Sequence, residues 1–376
     1  MRDDLRILML NFEYPPIGGG GSPVTRGLAR ALVGRGHQVD LVTMGFRGLP
    51  REELDAGVRV FRVPALRARA ELSHVHELAL YVVAALRKSR ALCRTTSYHV
   101  CHGHFLVPTG AVPYALRGTP GFPPYVLTSH GSDLPGYNPD RFKLIHHFTP
   151  PLLRRFGRAA AAIIVPSEAQ ERLIRTHLGD AVRRLVRIPN GVDADRFRPG
   201  LKEKRILVAT RLFERKGVQH VLEALADMDG HGHELEVAGD GPERRALERQ
   251  ARESGVPACF HGWMAREPLD GLFERSRIFV LASASDNFPV SLLEAMAARC
   301  AIVTTRAGGC PEVVGDAALL VEPGDVRGLR EALGSLVQDE ALARELGERA
   351  WRRARERFGW TPIAIRHEDV YRESAG

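Results

Sequence analysis

Short runs of valine, isoleucine and leucine without polar alternation recur along nearly the whole chain, each followed by a segment of helical pattern. Such runs suit strands covered on both faces, and strands separated by helices form βαβ units with a parallel sheet. In the first half, strands are expected at Leu5–Asn11, Gln38–Thr43, Val58–Val63, Tyr98–Phe105, Pro124–Ser129 and Ala161–Pro166. Helices are expected from about Pro23 to Arg35 and over Glu71–Arg90. The pattern breaks at Ile188–Gly200 (IPNGVDADRFRPG), where Pro, Asn-Gly and Pro-Gly make turn and linker composition. It restarts with strands at Arg205–Thr210, Glu234–Ala238, Arg277–Ser283 and Ala301–Thr305, and helices at Val218–Met228 and Glu243–Ser254. The Ala/Glu/Arg-rich stretch Val326–Phe358 reads as helical, and Trp360–Glu373 as a last helix after a break at Gly359 and Pro362. A chain of 376 residues accommodates two domains. The expected class is therefore α/β, with two doubly wound, Rossmann-like domains facing a cleft: residues 1–190, residues 191–358, and a final helical segment 359–376.

Hydrophobic content of 44% and charged content of 26% are those of a soluble globular enzyme. The net charge of +8 fits an anionic ligand or an anionic membrane surface. The basic residues are scattered and carry no aromatic-basic RNA-binding signature, so nucleic acid is not expected as a partner. The N-terminus, MRDDLRILML, enters a strand without a leader pattern, and the apolar stretch Ala79–Leu86 is too short to span a membrane. Five cysteines without regular spacing point to a reduced compartment. The expected place is the cytoplasm. Weak peripheral contact with the inner membrane face is a further expectation, through the helix Glu71–Arg90 with Arg62, Arg67 and Arg69. The plain alternative is an ordinary amphipathic helix packed on the sheet.

One segment, Asp286–Ala297 (DNFPVSLLEAMA), combines two kinds of recognition. It follows an apolar strand and opens a helix with Pro289 at the first helical position, where a missing N–H costs nothing. The amides of Val290 and Ser291 can then bind an anion, favoured by the helix dipole. Glu294 lies one turn further on the same face, where a carboxylate would repel phosphate but accept hydrogen bonds from a ribose diol. A phosphate seat beside a sugar-hydroxyl acceptor suggests a nucleotide; a plain strand–loop–helix is the alternative.

Other loops at strand ends add to this. In Tyr14–Pro23 (YPPIGGGGSP), four successive glycines permit close backbone approach to a ligand ahead of a helix N-terminus. The spacing is neither GxGxxG nor the GxxxxGK[ST] loop. His130, in TSHGSD, ends a strand, where open α/β sheets bind ligands, and can donate to or exchange protons with a sugar hydroxyl. Cys101, His102 and His104 form a CHGH cluster, but a further ligand at metal-site spacing is missing, so no metal is expected. Arg211 and Lys216, in TRLFERKG, can converge on phosphate, whereas Glu214 and Arg215 read as a solvated pair. Gly239 and Gly241 form a strand-to-helix turn able to approach a nucleotide, with Asp240 as cap or contact. Gly262 follows another strand, and its backbone can read a base edge; Trp263 beside it reads as core or rim packing.

In this order the sites resemble the family-4 glycosyltransferases of the GT-B fold (glycosyl transferases group 1) along essentially the whole chain. The markers are PPIGGGG, GRGHQVDLVT, TSHGSD, VPSE, IPNGVD, TRLFERKG, VAGDGP, SDNFPVSLLEAMA and TRAGGCPEVV. The resemblance implies a retaining transferase of the EC 2.4 class. It would take sugar from a nucleotide-diphosphate sugar, with a UDP-, GDP- or ADP-sugar as co-substrate and no other cofactor, and need no catalytic metal. The acceptor, whether glycan, lipid-linked or small molecule, is left open. By the same resemblance, Gly19 and Gly20 approach the donor diphosphate or the acceptor, and His130 lies near the transferred sugar. Arg211 and Lys216 bind the diphosphate, Glu294 holds the ribose, and Asn287 and Phe288 with the amides behind them flank donor sugar and phosphates. Asp286 stands where the family has the first acid of an E-x7-E pair, one methylene shorter than glutamate. The last helix is expected to cross back onto the first domain. Other readings are a non-catalytic nucleotide-sugar-binding protein and a GT-B nucleotide-sugar epimerase.

Overall fold

The computed structural model describes residues 4–70, 72–134, 150–198, 200–226, 228 and 232–376. The chain divides into two compact units: Met1–Gly191 with Trp360–Gly376, and Val192–Gly359. In the first unit eight strands pair in the order β3-β4-β2-β1-β5-β6-β7-β8. They are β1 Arg6–Leu10, β2 Gln38–Met44, β3 Glu52–Asp55, β4 Val58–Val63, β5 Val100–His104, β6 Tyr125–Thr128, β7 Ala162–Val165 and β8 Leu185–Arg187. All pairs are parallel except the edge pair β3–β4. β3 (EELD) carries no apolar run, because an edge strand facing solvent does not need one, and periodicity therefore passes over it. The order changes direction between β1 and β5, so the loops leaving those two strands open beside each other at the carboxyl edge, the usual ligand position in such sheets.

The second unit has six parallel strands in the order β11-β10-β9-β12-β13-β14. These are β9 Glu203–Ala209, β10 Glu234–Ala238, β11 Ala258–Gly262, β12 Ser276–Leu281, β13 Ala301–Thr305 and β14 Leu319–Val321. Here the switch lies between β9 and β12, which brings the loop after Ala209 next to the loop after Leu281.

The helix bounds shift from expectation for local reasons. The first begins at Gly21, not Pro23, with Gly20 as its N-cap. The helix expected from Glu71 runs Val75–Thr95 and opens with a capping box between His74 and Glu77; Glu71 itself lies outside the described residues. The second unit's first helix runs Val218–Ala226, and residue 227 of its expected end lies outside the described residues. The stretch Val326–Phe358 is two helices, Val326–Gln338 and Glu340–Phe358. Asp339 breaks it by capping the second, its carboxylate accepting from the Leu342 amide at 2.9 Å. The last helix, Trp360–Ala375, packs within the first unit. Its Ile363, Ala364, Val370 and Tyr371 join the apolar core formed under β1, β2 and β4. A Cβ on Gly27 or Gly191 would come within 2.1 Å and 2.4 Å of the Trp360 ring, so both glycines are required by that packing.

Candidate active site

In the first unit the predicted residues gather at the β1/β5 switch. The loop after β1 holds Gly19 and Gly20. The amide of Gly19 already donates to the Glu13 carboxylate at 2.9 Å, and that of Gly18 to the Ala70 carbonyl at 2.8 Å. The four-glycine loop is thus a partly engaged turn and not an open cradle, and Gly20 is its exposed member. Phe105, directly after β5, takes a left-handed φ of 73°, uncommon for a bulky residue. Its ring lies 4.6 Å from that of His130 and would be 2.7 Å from a Cβ on Gly21. One strained aromatic residue therefore links the glycine loop to His130.

His130 is half-buried and pairs through Nε2 with Nδ1 of the buried His104 at 3.0 Å. Behind them, His102 bridges Tyr371 of the last helix (2.6 Å) and Thr128 (2.7 Å). Burial pushes the His130 imidazole down to about 3, with His367 adding to the effect. It also holds His102 and His104 well below the usual histidine range. These rings are neutral at physiological pH, and their hydrogen bonds are directional. The CHGH cluster is therefore a hydrogen-bonded support under His130.

In the second unit the site forms at the β9/β12 switch. After β9 the chain makes a short 3₁₀ turn, Glu214–Lys216, and Gly217 leaves it with φ 71°. A Cβ on Gly217 would meet the Ala282 carbonyl at 2.0 Å, which shows how closely the two loops approach. Across this contact Lys216 reaches Asp286, and the pair is buried. Arg215 was expected in a solvated pair with Glu214. It is instead half-buried and donates to the Ser285 carbonyl at 3.3 Å, because the 3₁₀ turn points it at the neighbouring loop. Arg211 is exposed, 5.8 Å from the Phe213 ring centroid. Burial holds the Lys216 ammonium below its ordinary range against the pull of Asp286, and Arg215 and Arg211 push the same way as burial. Lys216, Arg215 and Arg211 thus lie close enough to act on one another in this corner.

The neighbouring segment differs from expectation in three details. Pro289 is the N-cap, with ψ 120°, and the helix begins at Val290; a proline in extended backbone ends the loop and does not enter the helix. The first-turn amides of Val290 and Ser291 still precede any i−4 carbonyl within the helix. The Phe288 ring is buried in the core, edge-on to Phe358 at 5.7 Å, so it supports the loop from below. Asn287 is also buried, its amide donating to the Asp286 carboxylate at 3.2 Å. Glu294 is buried, and its Oε1 accepts from Arg266 at the start of the helix Arg266–Arg275. Arg266 also pairs with Asp270 at 2.9 Å. Arg266 sits 28 positions away and belongs to no recognisable motif, so nothing in the sequence marks it as a partner of Glu294.

Gly239 and Gly262 meet in an antiparallel bridge, the Gly239 amide donating to the Gly262 carbonyl at 2.8 Å. Gly239 has φ 141°, and a Cβ there would stand 1.8 Å from the Thr210 carbonyl, so no other residue fits. The Gly241 amide donates to Asp240, which pairs with Arg244 at 3.3 Å in the first turn of the next helix. Asp240 therefore serves as a turn and helix-start residue. Trp263 is 49% exposed and belongs to the rim. Among the described residues, one metal-compatible group appears: Glu236, Cys259 and His261, whose ligand atoms lie within 4.8 Å of one another. Glu236 there already pairs with Arg205 and hydrogen-bonds His261, whose ring is held by burial below the usual histidine range, so the cluster is engaged within itself on the sheet face.

Two family profiles match the chain in tandem: "Glycosyltransferase Family 4" over residues 18–196 and "Glycosyl transferases group 1" over residues 192–353. The MMP alpha-(1->4)-mannosyltransferase of Mycolicibacterium hassiacum is 28% identical over an alignment covering 98% of each chain. The 2-deoxystreptamine glucosyltransferase of Streptomyces kanamyceticus is 28% identical over 86% of this chain and 92% of that one. Among solved structures, the sucrose-phosphate synthase of Thermosynechococcus elongatus superposes with a TM-score of 0.83 at 23% identity, covering 98% of both chains. The Anabaena protein HepE in complex with UDP-glucose gives 0.72 at 17% identity, covering 98% of this chain and all of the other. A catalytic domain of Arabidopsis thaliana starch synthase IV, bound to ADP and acarbose, gives 0.79 at 16%. Two tandem profiles spanning the glycine loop to the penultimate helix, on a pair of parallel-sheet units, place the chain among the family-4 glycosyltransferases of the GT-B fold.

Proposed function

We propose that this glycosyltransferase moves a sugar from a nucleotide-diphosphate sugar to an acceptor hydroxyl, with retention of configuration and without a catalytic metal. The observation that carries this reading is the cationic corner at the β9/β12 switch, where Lys216, Arg215 and Arg211 gather near the N-terminus of the helix Val290–Ala297. A departing nucleotide diphosphate gathers negative charge as the glycosidic bond breaks, and preorganised cations and amides stabilise it. Bound UDP-glucose and ADP in the structural neighbours support a nucleotide-linked donor. Retention is carried by the family resemblance, and the way the two acids of this segment are engaged bears only on its route. Asp286 is held by Lys216 and Glu294 by Arg266, which suits both poorly to nucleophilic attack. Attack from the face of the leaving group, with the leaving phosphate taking the acceptor proton, needs neither.

A panel of UDP-, GDP- and ADP-sugars, read by nucleotide release with and without EDTA, tests this reading. Slow release from one donor class, unchanged by EDTA, is the expected result. Conversion of the sugar without release would mark an epimerase, and tight binding without turnover a non-catalytic binding protein.

No helix among the described residues is long and apolar enough to cross a membrane. We also propose weak contact with anionic lipid, with a changed footprint. Arg62 and Arg67 are buried, Arg62 pairing with Glu53 at 2.7 Å and Arg67 donating to the Ala70 carbonyl at 2.8 Å. They cannot reach a lipid surface. The helix Val75–Thr95 instead buries Glu77, Tyr81, Ala85 and Ser89 and leaves Val75, Leu80 and Val83 exposed ahead of Arg87, Arg90 and Arg94. Leu80 and Val83 also line a cavity of about 600 Å³ with Phe61, Arg87 and Lys88. Apolar side chains next to cations suit an anionic interface. Vesicles rich in phosphatidylglycerol should sediment the protein at low salt, and Leu80→Glu with Val83→Glu should release it. Absence of sedimentation at low salt would dispose of this contact.

A further inference from the structure

We propose that His104 is a positioning residue that fixes the tautomer of His130, so that His130 carries its ring proton on Nδ1 and presents a hydrogen-bond donor, not a basic lone pair, at that nitrogen. The inference deepens the transferase reading of His130 and rests on that reading for its catalytic consequence.

The argument starts from the pairing of His104 Nδ1 with His130 Nε2 at 3.0 Å. Both rings are neutral, so one nitrogen must donate and the other accept. The two possible directions are not equivalent. If His130 donated from Nε2, His104 would keep its own proton on Nε2. That atom is buried and has no hydrogen-bond partner among the described residues. An orphaned buried N–H is among the rarest features of folded proteins, whereas an under-used acceptor is more readily tolerated. His104 therefore donates from Nδ1 and leaves Nε2 as a bare lone pair. His130 Nε2 accepts, and the remaining proton of His130 sits on Nδ1.

The surroundings hold His104 in this role. Its ring lies 4.3 Å from that of His102 and runs nearly parallel to that of His130, centroids 5.3 Å apart, as an end-to-end bond between the ring nitrogens requires, and the residue is 1% exposed. His102 is pinned in turn by Tyr371 and Thr128. The last helix thus contributes, through Tyr371 and His102, to the layer on which His104 rests. In the transferase, an Nδ1–H on His130 can donate to an oxygen of the bound sugar, and it cannot deprotonate the acceptor from that nitrogen. This division agrees with a mechanism in which the leaving phosphate takes the acceptor proton.

The test is long-range ¹H–¹⁵N correlation of the histidine side chains in the full chain at neutral pH without substrate, with His130→Asn to identify the signals. The wild type should show His130 protonated at Nδ1 and unprotonated at Nε2. His104→Leu removes the donor, and His130 should move to the Nε2–H form or a mixture. His104→Asn places an amide N–H near the same position and should restore the Nδ1–H form. In the transfer or donor-release assay, kcat should fall about tenfold in His104→Leu, with the donor KM little changed, and recover in His104→Asn. Thermal unfolding of each variant separates misfolding from a changed tautomer. A wild-type His130 protonated at Nε2 would overturn the inference, as would an unchanged tautomer in folded His104→Leu. Because the spectra need no turnover, the expected tautomer in a protein inert to every donor would defeat the transferase reading and leave the positioning role standing.

Discussion

Lys216→Ala should lower turnover by about 10²–10³-fold, the usual effect of removing one preorganised contact to a developing anion. The loss should fall mainly on kcat, because the charge on the leaving diphosphate grows as the bond breaks. The same change leaves the buried Asp286 carboxylate without its ammonium, and breaking a buried pair costs about 3–5 kcal/mol. The two effects can be separated. Lys216→Met combined with Asp286→Leu removes both charges, which is often neutral or stabilising. The double variant should regain thermal stability and remain inactive. Wild-type rates in a folded Lys216→Ala protein would remove diphosphate stabilisation from the role of this residue, and the transferase mechanism with it.

Glu294→Ala should show the opposite kinetic pattern. A carboxylate holding a ribose diol binds ground state and transition state alike, so its removal should raise the donor KM by about 10–100-fold, with a smaller fall in kcat. Arg266, the partner left behind, has a side chain 36% exposed and can turn to solvent, so stability should change little. Isothermal titration with the nucleotide alone checks the assignment without turnover. Undiminished nucleotide affinity in the folded variant would show that Glu294 serves only to hold Arg266. Paired measurements on Glu294→Gln add a second criterion: the amide keeps an acceptor for a hydroxyl but weakens the attraction for the guanidinium.

The two sheets were legible because buried parallel strands need unbroken apolar runs, and each such run found its strand to within a few residues. The strands that went unread, β3, β8 and β14, are three or four residues long and lie at or beside sheet edges, where one face or one side meets solvent and the apolar signal thins. The break inside the long helical stretch from Val326 is not legible in the sequence, because Asp339 caps by a local bond that leaves composition on either side unchanged. The segments after strand ends that bear Arg211, Lys216, Asp286 and Glu294 were legible for a different reason. In a parallel sheet, every loop after a strand opens at the carboxyl edge, so a charged or glycine-rich loop in that position is already placed.

What the sequence by itself determined was therefore the architecture and the edge at which chemistry can occur. Only the tertiary structure decided which side chains meet there. Lys216 finds Asp286 across 70 positions, Glu294 finds Arg266 across 28, and His130 rests on His104 across 26. The first and last of these pairings depend on strand order, which puts β9 beside β12 and β5 beside β6, and strand order leaves no periodic trace in the chain. It is set by how helices and strands share a core, and a hydrogen bond or ion pair formed afterwards reads only the distance that results.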